Sequence, residues 1–278
     1  PNTTLFRSVI SLTGKDGAGM MNEGPANTVK AARKVVREKL ALACRILGTE
    51  GHDDMDLGHL SVRSPDNPDR MIIKGKGLCL SEIQPDDLVT VDFNYRKIDG
   101  RRELHGELPI HIEIYKARKD VHSIVHTHPL YSTAFSATEQ ILRPINNEGV
   151  LFAKPLPFFD KETDLIVAPA QGASLSETLG DAKAVIMKNH GITVVGESIE
   201  QAAVYAYLLE KTIKIFFVAK VFGDPQWTDD EEAAKKADHI FGGNRIQAIW
   251  DTLARQLELR ERPLRILETL LQKMNEKR

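Results

Sequence analysis

Apolar residues first recur at helical spacing just after Asn27. In the string TVKAARKVVREKLALACRILGTEG they fall three or four positions apart, which predicts an amphipathic helix. Gly48 and Gly51 follow the last apolar residue and are typical of a helix C-terminus. The predicted buried face of this helix consists of Val29, Ala32, Val36, Leu40, Ala43 and Leu47.

The next segment changes to the shorter period of β-strands. The run LGHLSVRSPDNPDRMIIKGKG predicts two strands around a Pro/Asn/Asp turn. LVTVDFNYRKIDGRRE predicts a strand that enters a hairpin at Asp99-Gly100. Glu107 then opens ELPIHIEIYKARKD, where Pro109 suits the first turn of a helix, so Glu107 is expected at a helix N-terminus.

Strands and helices alternate in the second half of the chain. VHSIVH predicts a strand, PLYSTAFSAT a short helix, and AKAVIMKNHGITVVG two strands that break at residues 189–191. A long helix follows Ser198, and more helix is predicted in the tail that begins at Trp227. Within the long helix, the run Phe216, Phe217 and Val218 is apolar enough to indicate burial by a partner, which favours a homo-oligomer.

These elements predict three parts: an N-terminal arm (residues 1–26), an α/β domain (27–225) and a C-terminal helical extension (226–278). The arm mixes Gly, Ser, Asn and Thr without a sustained period, so we expect it to be disordered or packed on a neighbour. The 278 residues are enough for one large domain with its own hydrophobic core.

Composition narrows the class of protein. The 37 Lys and Arg nearly balance the 39 Asp and Glu, and no basic stripe occurs, so nucleic acid is not an expected partner. The 2 cysteines lack CxxC spacing, which argues against a disulfide framework and favours a reducing cytoplasm. Because no leader pattern opens the sequence and no stretch approaches the roughly 20 apolar residues of a membrane span, we expect a cytoplasmic protein that is not exported.

Three histidines and one glutamate form the strongest candidate site. His126 and His128 lie at i and i+2 where a strand ends, so their side chains share a face, and His190 lies beside a glycine at another strand break. With Glu107, they can supply three imidazoles and a carboxylate to one divalent metal ion. An isolated HxH pair is equally compatible with one core and one surface histidine, but the two additional residues favour the metal site.

Other polar residues have structural interpretations beside the functional ones. The acidic stretch after the first helix could be a second metal cluster, although such a loop is more often solvated. Arg63, Tyr131 and Arg143 are candidate substrate contacts, yet an arginine at the end of a strand more often pairs with an acidic neighbour, and an aromatic residue in a short helix is more often part of the packing. The acidic stretch consists of His52, Asp53, Asp54 and Asp56, and His111, His122 and His239 are expected to be structural or exposed.

Four motifs together resemble the class II aldolase/adducin head-domain family over roughly residues 28–225. They are GHLSVR at 58–63, KGKG at 74–77, the spacing from Glu107 to HTH, and KNHG at 188–191. The resemblance implies a three-layer α/β domain with a central, mostly antiparallel sheet flanked by helices, and a homotetramer or higher homo-oligomer. In that family the histidines that correspond to His126, His128 and His190 bind the metal, and the glutamate that corresponds to Glu107 is a fourth ligand or the acid/base.

The sequence departs from the sugar-phosphate aldolases where those enzymes hold phosphate. Amide and hydroxyl side chains are replaced by His59, by the Gly75-Lys76-Gly77 loop and by His105-Gly106. A phosphorylated sugar is therefore not the expected substrate. A small-molecule carboxylate fits better, because Lys74, Lys76, His59 and His105 can donate charge-assisted hydrogen bonds.

Within the family, the segment GHDDMDLGHLSVR, the arm and the helical tail resemble decarboxylases of hydroxylated aromatic dicarboxylates. These include the 3-hydroxy-2-methylpyridine-4,5-dicarboxylate decarboxylase of vitamin B6 degradation and dihydroxyphthalate decarboxylases. The resemblance implies a lyase of aromatic catabolism with one divalent ion per subunit, Mn or Zn, with Fe as a further option. Glu107 or His59 would deliver a proton to the carbon that loses CO2.

Three other functions are compatible with the same motifs. A retro-aldolase would cleave a non-phosphorylated hydroxy-keto acid. A non-haem iron enzyme would decarboxylate oxidatively and would require dioxygen. An adducin-like interaction module would keep the fold without the metal, but the complete set of three histidines and a glutamate favours catalysis.

Overall fold

One eight-stranded sheet organises the computed structural model, which describes residues 25–275. The predicted arm, apart from its last two residues, lies outside the described residues. The strands are β1 His59–Ser64, β2 Asn67–Lys74, β3 Leu88–Asp92, β4 Lys97–Asp99, β5 Ser123–Thr127, β6 Phe158–Phe159, β7 Ala184–Met187 and β8 Gly191–Gly196. Their order is β4-β3-β2-β1-β5-β8-β7-β6. Every neighbouring pair is antiparallel except β6 with β7, which confirms the predicted mostly antiparallel sheet.

Helices cover both faces of the sheet and complete the predicted three-layer α/β architecture. One hydrophobic cluster joins a sheet face to α1, α3, α5 and α7, and the other joins the opposite face to α2 and α4. Because both faces are covered, β1, β5 and β8 are buried along their whole length. The helices are α1 Pro25–Leu47, α2 Leu108–Ala117, α3 Leu130–Ser136, α4 Pro169–Leu179, α5 Ile199–Phe222, α6 Asp230–Phe241 and α7 Arg245–Asn275.

The predicted ends of several elements match the structure. Helix α1 ends at Leu47, and Gly51 in the following turn has a φ of 95°, a left-handed conformation that suits glycine. Glu107 is the residue immediately before α2, and Pro109 lies in its first turn. The oxygen of the Ser198 hydroxyl accepts the amide of Gln201 at the start of α5.

The hairpin predicted at Asp99-Gly100 is wrong. The turn between β3 and β4 consists of residues 93–96, and Gly100 follows β4. The carboxylate of Asp92 accepts the amides of Asn94 and Arg96 at 2.9 Å each, and Tyr95 adopts a left-handed φ of 66°. Local hydrogen bonds to an aspartate thus specify this turn without a glycine.

The tail is helical, as predicted, and it packs on the domain. Trp250, Leu253 and Leu257 of α7 belong to the cluster that contains α1 and α5. In α5, Phe216 is buried within the protomer, whereas Phe217 and Val218 are exposed. Among the helices of residues 25–275, none combines the length and the apolar character needed to cross a membrane.

Candidate metal centre

Four side chains from separate elements converge beside the sheet. His126 lies on β5, His128 just beyond its end, His190 in the turn between β7 and β8, and Glu107 at the start of α2. One potential ligand atom from each residue lies within 4.8 Å of all the others. The Glu107 carboxylate is 3.7 Å from the Nε2 atoms of His126 and His190. The structure thus brings together all four residues predicted to bind metal.

Hydrogen bonds at Nδ1 of His126 and His128 leave the Nε2 atom of each ring to face the other candidate ligands. The Thr193 hydroxyl donates to the sulfur of Met187 at 3.3 Å, so it accepts from Nδ1 of His126 at 3.1 Å. The Asp54 carboxylate can only accept, so Nδ1 of His128 donates to it at 3.0 Å. Burial lowers the pKa of both rings, so each is neutral with its proton on Nδ1, and the two unprotonated Nε2 atoms lie 3.0 Å apart. Two lone pairs at this distance repel each other unless a cation lies between them.

Burial prepares the same residues for a cation. Nε2 of His190 is buried and has no hydrogen-bond partner among the described residues. Burial, then the neighbouring His128, lowers the pKa of His190 to about 4, and burial lowers the pKa of His128 as well. The pKa of Glu107 is raised by burial, an effect that the hydrogen bond from the amide of Ile166 opposes. Three neutral imidazoles and a desolvated carboxylate fit a divalent ion.

His59 extends the site towards the interior. Its Nε2 is 3.8 Å from the Glu107 carboxylate, and its Nδ1 is 2.7 Å from Nε2 of His111. Nδ1 of His111 is hydrogen-bonded to the hydroxyl of Ser61, and this hydroxyl is hydrogen-bonded to that of Tyr115. This chain fixes the orientation of the His59 ring beside Glu107. His111 is fully buried, in agreement with its structural interpretation.

Lys74 and His105 lie next to His59, but their hydrogen-bonding groups are already engaged. The Lys74 side chain is 0% exposed, and its ammonium donates to the carbonyl of Asp56 at 2.7 Å and lies 3.4 Å from Nε2 of His105. The ring of His105 is centred 4.7 Å from that of His59. A direct bond from Lys74 to a substrate carboxylate is therefore not accessible in this arrangement. Lys76, by contrast, is exposed.

Three residues that were predicted to contact substrate have contacts other than the four candidate metal ligands. The Arg63 guanidinium donates to the carbonyls of Pro68, Tyr115, Arg118 and Val121, so its partners are neither a substrate nor the acidic neighbour considered above. The Tyr131 ring packs near Phe217, with the Lys214 ammonium 5.4 Å from its centre. The Arg143 guanidinium lies over the Trp227 ring at 5.4 Å.

The sequence interpretation missed the residues that support the ligands. Asp54 was assigned to a solvated loop, yet it binds His128, and neighbouring His52 is fully buried with Nδ1 2.9 Å from the Thr127 hydroxyl. Thr193 was not singled out. Its position opposite His126 follows from the pairing of β5 with β8, which local patterns do not reveal.

The sequence resembles known proteins over most of its length. Residues 38–217 match the family described as Class II Aldolase and Adducin N-terminal domain. The 4-hydroxy-3-prenylphenylpyruvate oxygenase/4-hydroxy-3-prenylbenzoate synthase of Streptomyces roseochromogenus subsp. oscitans is 30% identical over 84% of this chain and 87% of its own length. The 3,4-dihydroxyphthalate decarboxylase of Arthrobacter keyseri is 32% identical over 61% of this chain and 73% of its own.

A solved structure agrees with the architecture. The L-fuculose 1-phosphate aldolase from Glaciozyma antarctica PI12 superposes with a TM-score of 0.76 at 26% identity, over 89% of this chain and 95% of that chain. The family match covers more than half of the sequence and includes all four converging residues. The chain belongs to the class II aldolase and adducin family.

Proposed function

We propose that the protein is a metal-dependent decarboxylase that acts, without oxygen, on a hydroxylated aromatic dicarboxylate. The observation that carries this proposal is the group of His126, His128, His190 and Glu107, which includes the buried and unpartnered Nε2 of His190. A divalent ion bound there, Mn or Zn with Fe as a further option, would act as a Lewis acid and hold a ring hydroxyl and its adjacent carboxylate in place.

The residues of the chain supply the proton chemistry. We propose that Glu107, whose pKa is raised by burial, or the adjacent His59 delivers the proton to the ring carbon that bears the carboxylate. The bond from that carbon to the carboxyl carbon then breaks, its electron pair restores the aromatic ring, and CO2 leaves. The proton thus takes the place of the carboxylate on the ring.

The environment of His59 supports a carboxylate substrate over a sugar phosphate. Lys76 is exposed, and its charge contributes to the lowering of the His105 pKa to about 4, after the larger effects of burial and Lys74. An exposed ammonium whose charge reaches His105 suits the second carboxylate of a small aromatic substrate. The relative named 3,4-dihydroxyphthalate decarboxylase supports the same substrate class, and a role in aromatic or vitamin B6 catabolism belongs to this proposal.

A second candidate function is oxidative decarboxylation with non-haem iron. One relative is named as an oxygenase and synthase, and three histidines with a carboxylate also suit Fe. The two functions differ in their need for dioxygen.

Release of CO2 tests the proposal. Metal-stripped protein is reloaded with Mn, Zn or Fe and incubated with a panel of ortho-hydroxy aromatic dicarboxylates, with and without oxygen. We expect release without oxygen. Release only with Fe and oxygen would replace the proposal by the oxygenase, and absence of release from every substrate would favour retro-aldol cleavage of hydroxy-keto acids.

We further propose that the protein is a cytoplasmic homotetramer or higher homo-oligomer. Support comes from the C-terminal half of α5, where Phe217, Val218, Val221 and Phe222 are exposed. Such a continuous apolar patch is typical of a surface that another subunit covers.

A further inference from the structure

We propose that Asp54 is a positioning residue that holds the His128 ring in its metal-binding orientation and adds negative charge to the centre. The inference rests on the proposed metal site and extends it to the loop of residues 52–56, the acidic loop. Its basis is the contact between Asp54 and His128, together with the way in which the acidic loop is anchored.

The sheet does not hold the His128 ring by itself. β5 ends at Thr127, so His128 lies beyond the last paired residue of the strand. The Asp54 carboxylate accepts Nδ1–H of His128 at 3.0 Å, which leaves Nε2 as the metal-binding atom. On the other side, a Cβ added at Gly191 would lie 2.8 Å from Cδ2 of His128, so the ring is confined between the acidic loop and Gly191.

Hydrogen bonds fix the acidic loop on both sides of Asp54. Before it, Nδ1 of His52 lies 2.9 Å from the Thr127 hydroxyl, and the Asp53 carboxylate accepts the amide of Ser81 at 3.1 Å. After it, the buried ammonium of Lys74 donates to the carbonyl of Asp56 at 2.7 Å. The Asp54 carboxylate is therefore placed before any metal arrives.

The two histidines of the HxH pair differ in the charge of the group that accepts their Nδ1–H. Nδ1 of His126 donates to a neutral hydroxyl, that of Thr193, whereas Nδ1 of His128 donates to a carboxylate. A dication at the centre would favour the ionised form of Glu107, so Glu107 and Asp54 would together bring two negative charges to it. A carboxylate behind a metal-bound imidazole raises the basicity of that ligand, and loss of such a partner typically weakens metal binding about 10- to 100-fold.

Asp54→Asn tests the inference, and Asp56→Asn is its matched control. Both variants remove one negative charge from the acidic loop, but the Asp56 carboxylate acts on Lys74 and His105 through its charge, and the hydrogen bond from Lys74 goes to its backbone carbonyl. Affinities of the metal-free proteins for Mn2+ and Zn2+ are measured by competition with a chromophoric chelator. We expect Asp54→Asn to bind about 10- to 100-fold more weakly than the unmodified protein and Asp56→Asn to change the affinity less than about twofold.

Two further measurements separate positioning from general stability. The melting temperatures of the metal-free proteins should be similar, while the absorption spectrum of bound Co2+ should change in Asp54→Asn and not in Asp56→Asn. Asp54→Glu keeps the charge and should recover part of the affinity, and it replaces the first variant if that one fails to fold. Equal affinity of Asp54→Asn and the unmodified protein would overturn the inference alone. Absence of metal binding by the unmodified protein would overturn the metal site as well.

Discussion

At the scale of single residues, burial controls the protonation of several candidate functional side chains. His59, His126 and Glu107 are each less than 9% exposed, and desolvation dominates the pKa shift of each of them. It lowers the pKa of the histidines, so the imidazoles are neutral and keep a lone pair for a cation, and it raises the pKa of Glu107. A bound dication would act on Glu107 in the opposite sense and favour its ionised form.

The first prediction concerns Glu107. We expect Glu107→Gln to retain bound metal through the three histidines but to lose turnover by at least about 100-fold, because an amide neither carries a transferable proton nor balances the charge of the ion. Turnover and metal content are measured on the same preparation. Glu113→Gln on the outer side of α2, where the carboxylate contacts Tyr95 and Lys116, is the control and should remain active. Full activity of the first variant would remove Glu107 from the mechanism.

The four candidate metal ligands could be predicted from the sequence, whereas the residues that orient their side chains could not. The HTH pair, the NHG histidine and Glu107 carry local signals: an i, i+2 spacing, a strand break and a helix start. The bonds from Asp54 to His128 and from His59 to His111 join positions 74 and 52 residues apart. Such pairs depend on how elements pack, which hydrophobic periodicity does not specify.

At the scale of elements, the short helix α3 depends on a residue from another helix. Its N-cap position is Pro129, whose side chain cannot cap. Instead, the buried carboxylate of Glu210 on α5 accepts the amides of Tyr131 and Ser132 at 2.9 and 2.8 Å, and the Ser132 hydroxyl at 2.6 Å. Because α3 begins two residues after His128, this cap also fixes the path of the chain as it leaves the metal centre.

We therefore predict that Glu210→Ala lowers the free energy of unfolding by about 2–3 kcal/mol, since two buried amides and a hydroxyl lose a charged acceptor. Glu210→Gln, which keeps one acceptor oxygen, should cost less. The comparison is Asp229→Ala, which removes the single side-chain cap of the remote helix α6 and should cost about 1 kcal/mol. Urea denaturation of the three metal-free variants measures these free energies. If Glu210→Ala were as stable as the unmodified protein, the capping role of Glu210 would be contradicted.

Most elements with strong hydrophobic periodicity were predicted, whereas the helix α4 and the two-residue strand β6 were not, and one turn was misplaced. The β3–β4 hairpin was placed at the most obvious dipeptide, Asp99-Gly100, whereas Asp92 and Tyr95 form the actual turn. A carboxylate that accepts two amides stabilises a turn as well as a glycine does, but it gives a weaker signal in a single sequence.

For the molecule as a whole, the buried histidines predict how stability depends on pH. Burial lowers the pKa of His52 and His111 to about 3. Above about pH 6.5 these rings are neutral in both the folded and the unfolded protein. Between about pH 6.5 and pH 4 only the unfolded chain takes up protons on them, so the free energy of unfolding should fall by about 1.4 kcal/mol per pH unit for each ring.

Urea midpoints of the metal-free protein between pH 7 and pH 4.5 provide the measurement. His52→Gln should make the decline shallower, because the ring that becomes charged only on unfolding is gone. His239→Gln, at an exposed position of α6, is the control and should leave the slope unchanged. A midpoint independent of pH over this range would contradict the prediction.

The exposed end of α5 predicts the state of assembly. Val221 and Phe222 are 71% and 87% exposed, which is unfavourable for two large apolar side chains on one helix end unless a subunit covers them. We expect a homotetramer or larger by light scattering, and Phe222→Asp should shift the mass towards smaller species. Lys235→Glu, a charge change on exposed α6, should not. A monomeric unmodified protein would contradict this prediction.

The separation of the ligands along the sequence determines when the ion can enter. Glu107, His126 and His128 leave the ribosome well before His190, and β5 pairs with β8, which ends at Gly196. A nascent chain shorter than this has neither the fourth ligand nor the strand that carries Thr193. A metal at the proposed site could therefore not meet its complete ligand set during synthesis, unlike the metal of small zinc domains, whose ligands lie close together in the sequence. We expect the choice of ion to depend on the geometry of the folded site and on the metals present where folding is completed.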